Sequence, residues 1–399
     1  MKSTIYLDNH ASTQVDPRVL EAMMPYLTTE YGNPASTHVF GMKAEQATEN
    51  ARQQAAAILN AKVSEIFFTA GATESNNLAI KGVVDHFRSN KPHIITTSVE
   101  HKCILEACKF VQERGAEVTL LPVDKDGRVS ADVVASALKE NTVLVSVLHG
   151  NNEIGSINPI SDIGAMCHKR GVLFHTDAAQ TLGKLPIDVE AANIDILSAS
   201  AHKIYGPKGV GLVYIRRSAQ ECITPLLHGG GQEHGTRSGT LNVPGIVGFD
   251  RALEIAASSM TNDLRHYATL RNQLFYGLTS RLNNIELNGP NITMPHSNDM
   301  VLSGALTRLP NNLNFVLQDI EVSAFKRRVR SVAFSSGSAC SSADQKPSYV
   351  LTAIGRTETE AHSSLRFGVG RFTTEQEIDA AIQAIAAAVS QLNPKALVK

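Results

Sequence analysis

A chain of 399 residues, 43% apolar and 19% charged, is long enough for two packed domains or one large α/β unit, and this composition excludes a disordered or fibrous protein. The formal net charge of −1 gives no ground for a dedicated nucleic-acid or anionic-membrane surface, and the basic cluster Lys326, Arg327, Arg328 and Arg330 reads as a solvated patch. The start, MKSTIYLDNHAS, lacks the features of a secretory signal, and no apolar run approaches a membrane span, so the cytoplasm is the expected compartment.

In chain order, EIFFTAG (65–71) predicts a buried strand ending in a turn. NNLAIKGVVDHF (76–87) follows as a helix with Leu78, Ile80, Val83, Val84 and Phe87 broadly on one side. HIITTSVE (93–100) is a second strand and ILEACKFVQERG (104–115) a second helix, closed by glycine. EVTLLPV, TVLVSVLHG and GVLFHTDAAQ carry further strands, with DVVASALKE and PISDIGAMCHKRG as helices among them. DILSASAH and GVGLVYIRR add two strands around the KIYGPKG turn. Short apolar strands separated by helices predict a largely parallel sheet covered on both faces. Beyond a helical stretch near 247–282 come NLNFVL, SSGSACSSAD, SLRFGVG and a terminal helix holding Ile378, Ala381, Ile382, Ile385 and Val389. The expected division is a large domain over 16–260 and a smaller α+β domain made of 1–15 and 261–399.

The chemistry-bearing residues cluster after the predicted strands. Ala70-Gly71-Ala72-Thr73-Glu74-Ser75 joins a strand to a helix, and its free N–H groups and the Thr73 hydroxyl suit a phosphate, as they equally suit an ordinary capped junction. Lys203 follows Ser198-Ala199-Ser200-Ala201-His202, where Ser200 and His202 offer neutral hydrogen-bonding groups beside an amine able to bond an aldehyde cofactor. Asp177 ends another strand, where open parallel sheets collect ligands. A carboxylate there can keep a pyridine nitrogen protonated, and Asp177, Gln180 and Lys203 together are more specific than any one of them. His101 can stack on a ring and move protons, or simply bond a strand-end carbonyl. Asn152 can bond a cofactor hydroxyl or shape its turn. Arg366 suits a planar carboxylate, with Asn33 as a second ligand, although an ion pair and a turn explain them as readily.

Of the five cysteines, Cys103, Cys108 and Cys167 lie among apolar residues and read as small core fillers, while the exposure of Cys222 is not legible. No spacing suggests a metal cluster. Cys340 differs: it sits among small polar residues in Phe334-Ser335-Ser336-Gly337-Ser338-Ala339-Cys340-Ser341-Ser342, a poor core segment and a good place for a nucleophile.

With these residues in order, the chain resembles the IscS/NifS-type cysteine desulfurases, of the aspartate-aminotransferase-like fold (fold type I) of pyridoxal-phosphate enzymes. The resemblance runs through YLDNHAST, YGNPAS, TAGATESNNLAIKG, VEHKCIL, GNNEIG, HTDAAQTLGKLPID, SAHKIYGPKGVG, HGGGQEHGTRSGT, SSGSACSS and SSLRFGVGRFTTEQEID. It implies pyridoxal 5'-phosphate held covalently by Lys203, with Asp177 at the pyridine nitrogen and His101 against the ring. Asn152 and Gln180 are then expected on the ring substituents, and Ala72, Thr73, Ser200 and His202 at the phosphate. Thr240 is expected to reach the partner subunit's phosphate in a homodimer. Asn33 and Arg366 match substrate-carboxylate positions, and Cys340 matches the cysteine that takes sulfur from L-cysteine as a persulfide, leaving alanine. An iron–sulfur scaffold or a tRNA-thiolation enzyme is the expected kind of acceptor.

The sequence departs from the family pattern at Ala201, where glycine is frequent, and at His234, where arginine is common. The tail LNPKALVK is also short for members that serve a scaffold. A selenocysteine lyase or another fold type I aminotransferase would share Lys203 and Asp177. A noncatalytic scaffold would have no use for Lys203, Arg366 and Cys340 together.

Overall fold

The computed structural model describes residues 4–283, 285–292, 306–336 and 346–398; Cys340 lies outside the described residues. After the short strand β1 (Ile5–Tyr6), the chain builds β2 (Ile66–Thr69), β3 (His93–Thr97), β4 (Glu117–Leu121), β5 (Thr142–Ser146), β6 (Leu173–Asp177), β7 (Ile196–Ser200) and β8 (Gly211–Ile215). These seven form one sheet in the order β2-β8-β7-β6-β5-β3-β4. Only β8 runs against its neighbours, and the remaining pairs are parallel. Every residue of β2, β3, β7 and β8 is buried, as expected of strands with helices on both faces.

Apolar clusters seal those two faces. One gathers Ile95, Val145, Phe174, Leu197 and Tyr214 with Leu59 and Phe249 of the flanking helices. The other gathers Phe67, Ile94, Leu144 and Val213 with Ile104, Cys108 and Val111. Because the crossovers carry the chain back each time, the carboxyl ends of β3, β5, β6 and β7 open on one edge.

The segment predicted as one helix over 76–87 is helical from Ala72 to His86, with a π-helical turn at Leu78–Gly82. Helix Val243–Thr279 runs unbroken through position 260, where a division was expected. Its second half packs with Leu313, Phe315, Phe367 and the terminal helix Glu375–Leu392 in a separate apolar cluster. That cluster backs a second sheet made by β9 (Ile285–Leu287), β10 (Asn312–Leu317), β12 (Ser335–Ser336) and β13 (Ser364–Gly368), ordered β12-β13-β10-β9 and antiparallel throughout. The remaining strand, β11 (Val332–Ala333), pairs in parallel with β1. Leu7 is buried in the same cluster, so the first residues pack with the last third of the chain. Among the described residues no helix is long and apolar enough to cross a membrane.

Candidate active site

The open edge of the large sheet collects the sequence-predicted groups. Asp177 is the last residue of β6 and is 8% exposed. Its carboxylate accepts from Asn76 Nδ2 at 2.7 Å and from the Ala179 N–H at 2.9 Å. Next to it, β7 ends at Ser200 and tightens into a single turn, Ala201–Lys203. Lys203 Nζ donates to the carbonyls of His10 at 2.7 Å and Ala11 at 2.8 Å. Ala201 is fully buried, and a Cβ on Gly206 would lie 2.8 Å from its methyl, so alanine is accommodated because its neighbour is glycine.

The loop leaving β2 presses against this turn. Gly71 has φ of +149°, and a Cβ on Gly211 would come within 2.6 Å of Gly71 Cα, so two side-chain-free positions let the loop meet β8. The Ser200 hydroxyl lies 3.6 Å from where a Gly71 Cβ would sit, and the helix beginning at Ala72 directs its first N–H groups to the same place. Thr73 is exposed there. His202 Nδ1 lies 3.2 Å from Ser12 Oγ. Burial lowers the His202 pKa to about 4, helped by Lys203, Lys208 and Lys184, so the imidazole is a neutral hydrogen-bonding group.

His101 caps the helix Lys102–Gln112 through Nδ1, which accepts the Cys103 N–H at 3.3 Å. Its ring reaches solvent yet stands among crowded protein atoms, the arrangement of a recess. Desolvation lowers its pKa in spite of Asp177, with Lys203 and Lys102 adding to the shift.

Arg366, in the middle of β13, is 5% exposed. Its Nη2 donates to Asp8 Oδ1 at 2.9 Å and Ser335 Oγ at 3.0 Å, and Nη1 donates to the Asn152 carbonyl at 3.1 Å. Its buried Nε has no hydrogen-bond partner among the described residues, which leaves a donor for a carboxylate.

Other expected residues sit differently. Gln180 spends its amide on His10, with Oε1 at 3.0 Å from the ring Nδ1 and Nε2 donating to the carbonyl at 3.0 Å. Asn33 is exposed and holds its own turn by accepting from the Ala35 N–H, and no hydrogen bond among the described residues joins it to Arg366. Thr240 is exposed, two residues beyond the buried Ser238. Arg237 pairs with Glu74 of the helix Ala72–Asn77 at 2.7 Å. His234 is exposed at φ of +53° with its ring edge against Phe67.

Reading by motif missed Asp8, His10 and Asn76, all of which touch the predicted residues. It also missed a second contact of Cys103. Cys108 and Cys167 are buried fillers, but Cys103 is only half-buried, and its sulfur lies 2.9 Å from His101 Nδ1. Cys103 packs against the apolar cluster that holds Cys108, and its place at position two of the helix also brings its sulfur to His101.

A buried carboxylate at a strand end, an amine on the adjacent turn and a glycine-bearing loop at a helix start fit a phosphorylated pyridine aldehyde. Comparison with known proteins agrees. The class-V aminotransferase family model matches residues 5–381. The chain belongs to the class-V aminotransferase family. Within it, the chain is 48% identical to the cysteine desulfurase IscS of Anaeromyxobacter dehalogenans (strain 2CP-C), over 98% of this chain and 94% of that one. It is 47% identical to the cysteine desulfurase IscS of Rickettsia akari (strain Hartford), over 97% and 92%. Among solved structures, a NifS-like protein superposes with a TM-score of 0.88 at 38% identity, covering 98% of this chain and all of that one. SspA in complex with cysteine gives a TM-score of 0.78 at 38% identity, covering 93% and 100%. The cofactor of this class-V aminotransferase is pyridoxal 5'-phosphate.

Proposed function

We propose that the chain is a pyridoxal-phosphate-dependent cysteine desulfurase that converts L-cysteine to L-alanine and loads the sulfur on Cys340. The observation that carries this reading is the short segment Asp8–Ala11. Its first carboxylate holds Arg366 while its last two carbonyls hold Lys203, so a carboxylate-binding arginine and a reactive amine meet across three residues of chain.

Lys203 Nζ would hold the cofactor aldehyde, and its amine would move the proton at the substrate α-carbon. When bound, pyridoxal phosphate supplies the electron sink for the charge left there. Asp177 would hold the pyridine nitrogen, and His101 would lie against the ring and move protons beside it. Ala72, Thr73, Ser200 and His202 would hold the phosphate, and Asn152 and Gln180 the ring substituents. Arg366 anchors the substrate carboxylate, with Asn33 as an accessory ligand. The Cys340 thiolate then attacks the substrate sulfur: an S–S bond forms, the Cβ–S bond breaks, and its electron pair stays with the carbon fragment, which takes up protons and leaves as alanine.

The same reading includes a homodimer in which Thr240 completes the partner's phosphate site. Exposed Leu20, Leu27, Val39 and Met42 on the first two long helices supply apolar surface for it. A cytoplasmic setting is consistent with four free thiols among the described residues. The acceptor is a protein thiol of the kind that an iron–sulfur scaffold or a thiolation enzyme presents.

The test supplies L-cysteine with a thiol acceptor and follows alanine and sulfide. The parent is expected to release both, and Cys340→Ser to keep the cofactor's visible absorbance while losing persulfide formation. Alanine released with transferable persulfide at the parent rate by Cys340→Ser would overturn the assignment.

A further inference from the structure

Cys103 is tied to two residues of the site through one hydrogen-bond chain. Its sulfur is 2.9 Å from His101 Nδ1 and 3.1 Å from Asn76 Nδ2, and the same Asn76 nitrogen is 2.7 Å from Asp177 Oδ2. Proton counting gives each link a direction. Asn76 is fully buried, and its two N–H groups point one to sulfur and one to carboxylate, so Cys103 Sγ accepts from it. Nδ1 of His101 already accepts the Cys103 N–H and therefore carries no proton. The thiol hydrogen is then the donor to Nδ1.

We propose that Cys103 is a positioning residue whose S–H supports the neutral His101 imidazole, its proton on Nε2, in a chain that runs through Asn76 to Asp177. This rests on His101 belonging to the site, and it goes further by assigning the histidine's resting role. With Nδ1 engaged twice, Nε2 presents an N–H toward the recess, and His101 enters as a hydrogen-bond donor rather than as a base. The chemistry of Cys103 agrees. Burial, aided by Asp177 and Glu100, pushes its pKa to about 12 against the lowering hydrogen bonds of Asn76 and Thr73, so the sulfur keeps its proton and does not compete with Cys340 as a nucleophile. The charged groups that act on His101 are Asp177, Lys203 and Lys102.

The experiment is a ¹⁵N–¹H correlation of histidine-labelled holoenzyme across pH, with Cys103→Ala and Cys103→Ser beside the parent. The parent His101 is expected to show a protonated Nε2 and a bare Nδ1. Losing the thiol donor in Cys103→Ala leaves the backbone N–H as the partner of Nδ1 and removes support for the neutral ring, so the His101 midpoint rises by about one pH unit. Serine, which also donates, is expected to restore the parent midpoint. A proton on Nδ1 in the parent overturns the proposal by itself, whatever the variants do, as does an alanine variant that titrates like the parent. The readout needs no turnover, so it stands or falls apart from the desulfurase assignment.

Discussion

The two sheets place their functional groups in opposite ways. The seven-stranded sheet presents Asp177 from the end of β6 and Lys203 from the turn after the adjacent β7, where the backbone path brings both to one edge before Asn76, His10 and Ala11 hold them. The four-stranded sheet presents Arg366 from the middle of a strand, where the backbone sends it only to one face. It is then aimed by Asp8, Ser335 and the Asn152 carbonyl, drawn from three distant parts of the chain. Strand-end groups depend on a buried platform, whereas the mid-strand group depends on its partners.

That contrast is broken most severely at the platform. Lys203→Ala should lower desulfuration by about 10²- to 10⁴-fold with the fold intact, because only the amine is lost; circular dichroism beside the alanine assay checks both halves. At the small sheet, Arg366→Lys keeps the charge but not the fork. It should cost about 10- to 100-fold in kcat/KM, chiefly through KM for L-cysteine.

The smallest effect sharpens the idea of a dry platform. Glu100, fully buried after β3, accepts from the Leu148 N–H with both oxygens and from Thr97 Oγ1. Burial outweighs these bonds and raises its pKa to about 8 from 4.5. Between those values the folded protein holds a proton that the unfolded chain has released. Its contribution to stability is therefore full below 4.5 and falls as pH rises toward 8. Glu100→Gln should flatten that slope, on the order of 1 kcal/mol per pH unit, in urea unfolding between pH 5 and 8.

The platform was legible because its signals are local. Each buried strand is a short apolar run, and Asp177, Ser200 and Lys203 follow such runs directly. Asp8 and His10 carried no local signal: their partners Arg366, Gln180 and Lys203 lie 170 to 358 positions away. Cys103 was legible as a filler, since it packs against the cluster of Ile104, but nothing local showed that the helix cap at His101 also brings its sulfur to that ring. No interruption marks position 260, because one helix serves both apolar clusters, its first half contributing Phe249 to one and its second half Leu274 to the other. A periodicity that never lapses gives no sign of a change of partner.

The pairing of β12 with β13 sets a radius. Ser335 lies opposite Arg366 in that ladder, and Cys340 follows Ser336 by four residues, a stretch of chain that spans at most about 14 Å when fully drawn out. The last described residue before Cys340 is thus anchored beside Arg366. On the proposed reading, an acceptor must bring its thiol inside that circle, on the side of the four-stranded sheet, wherever else on the surface it finds a grip.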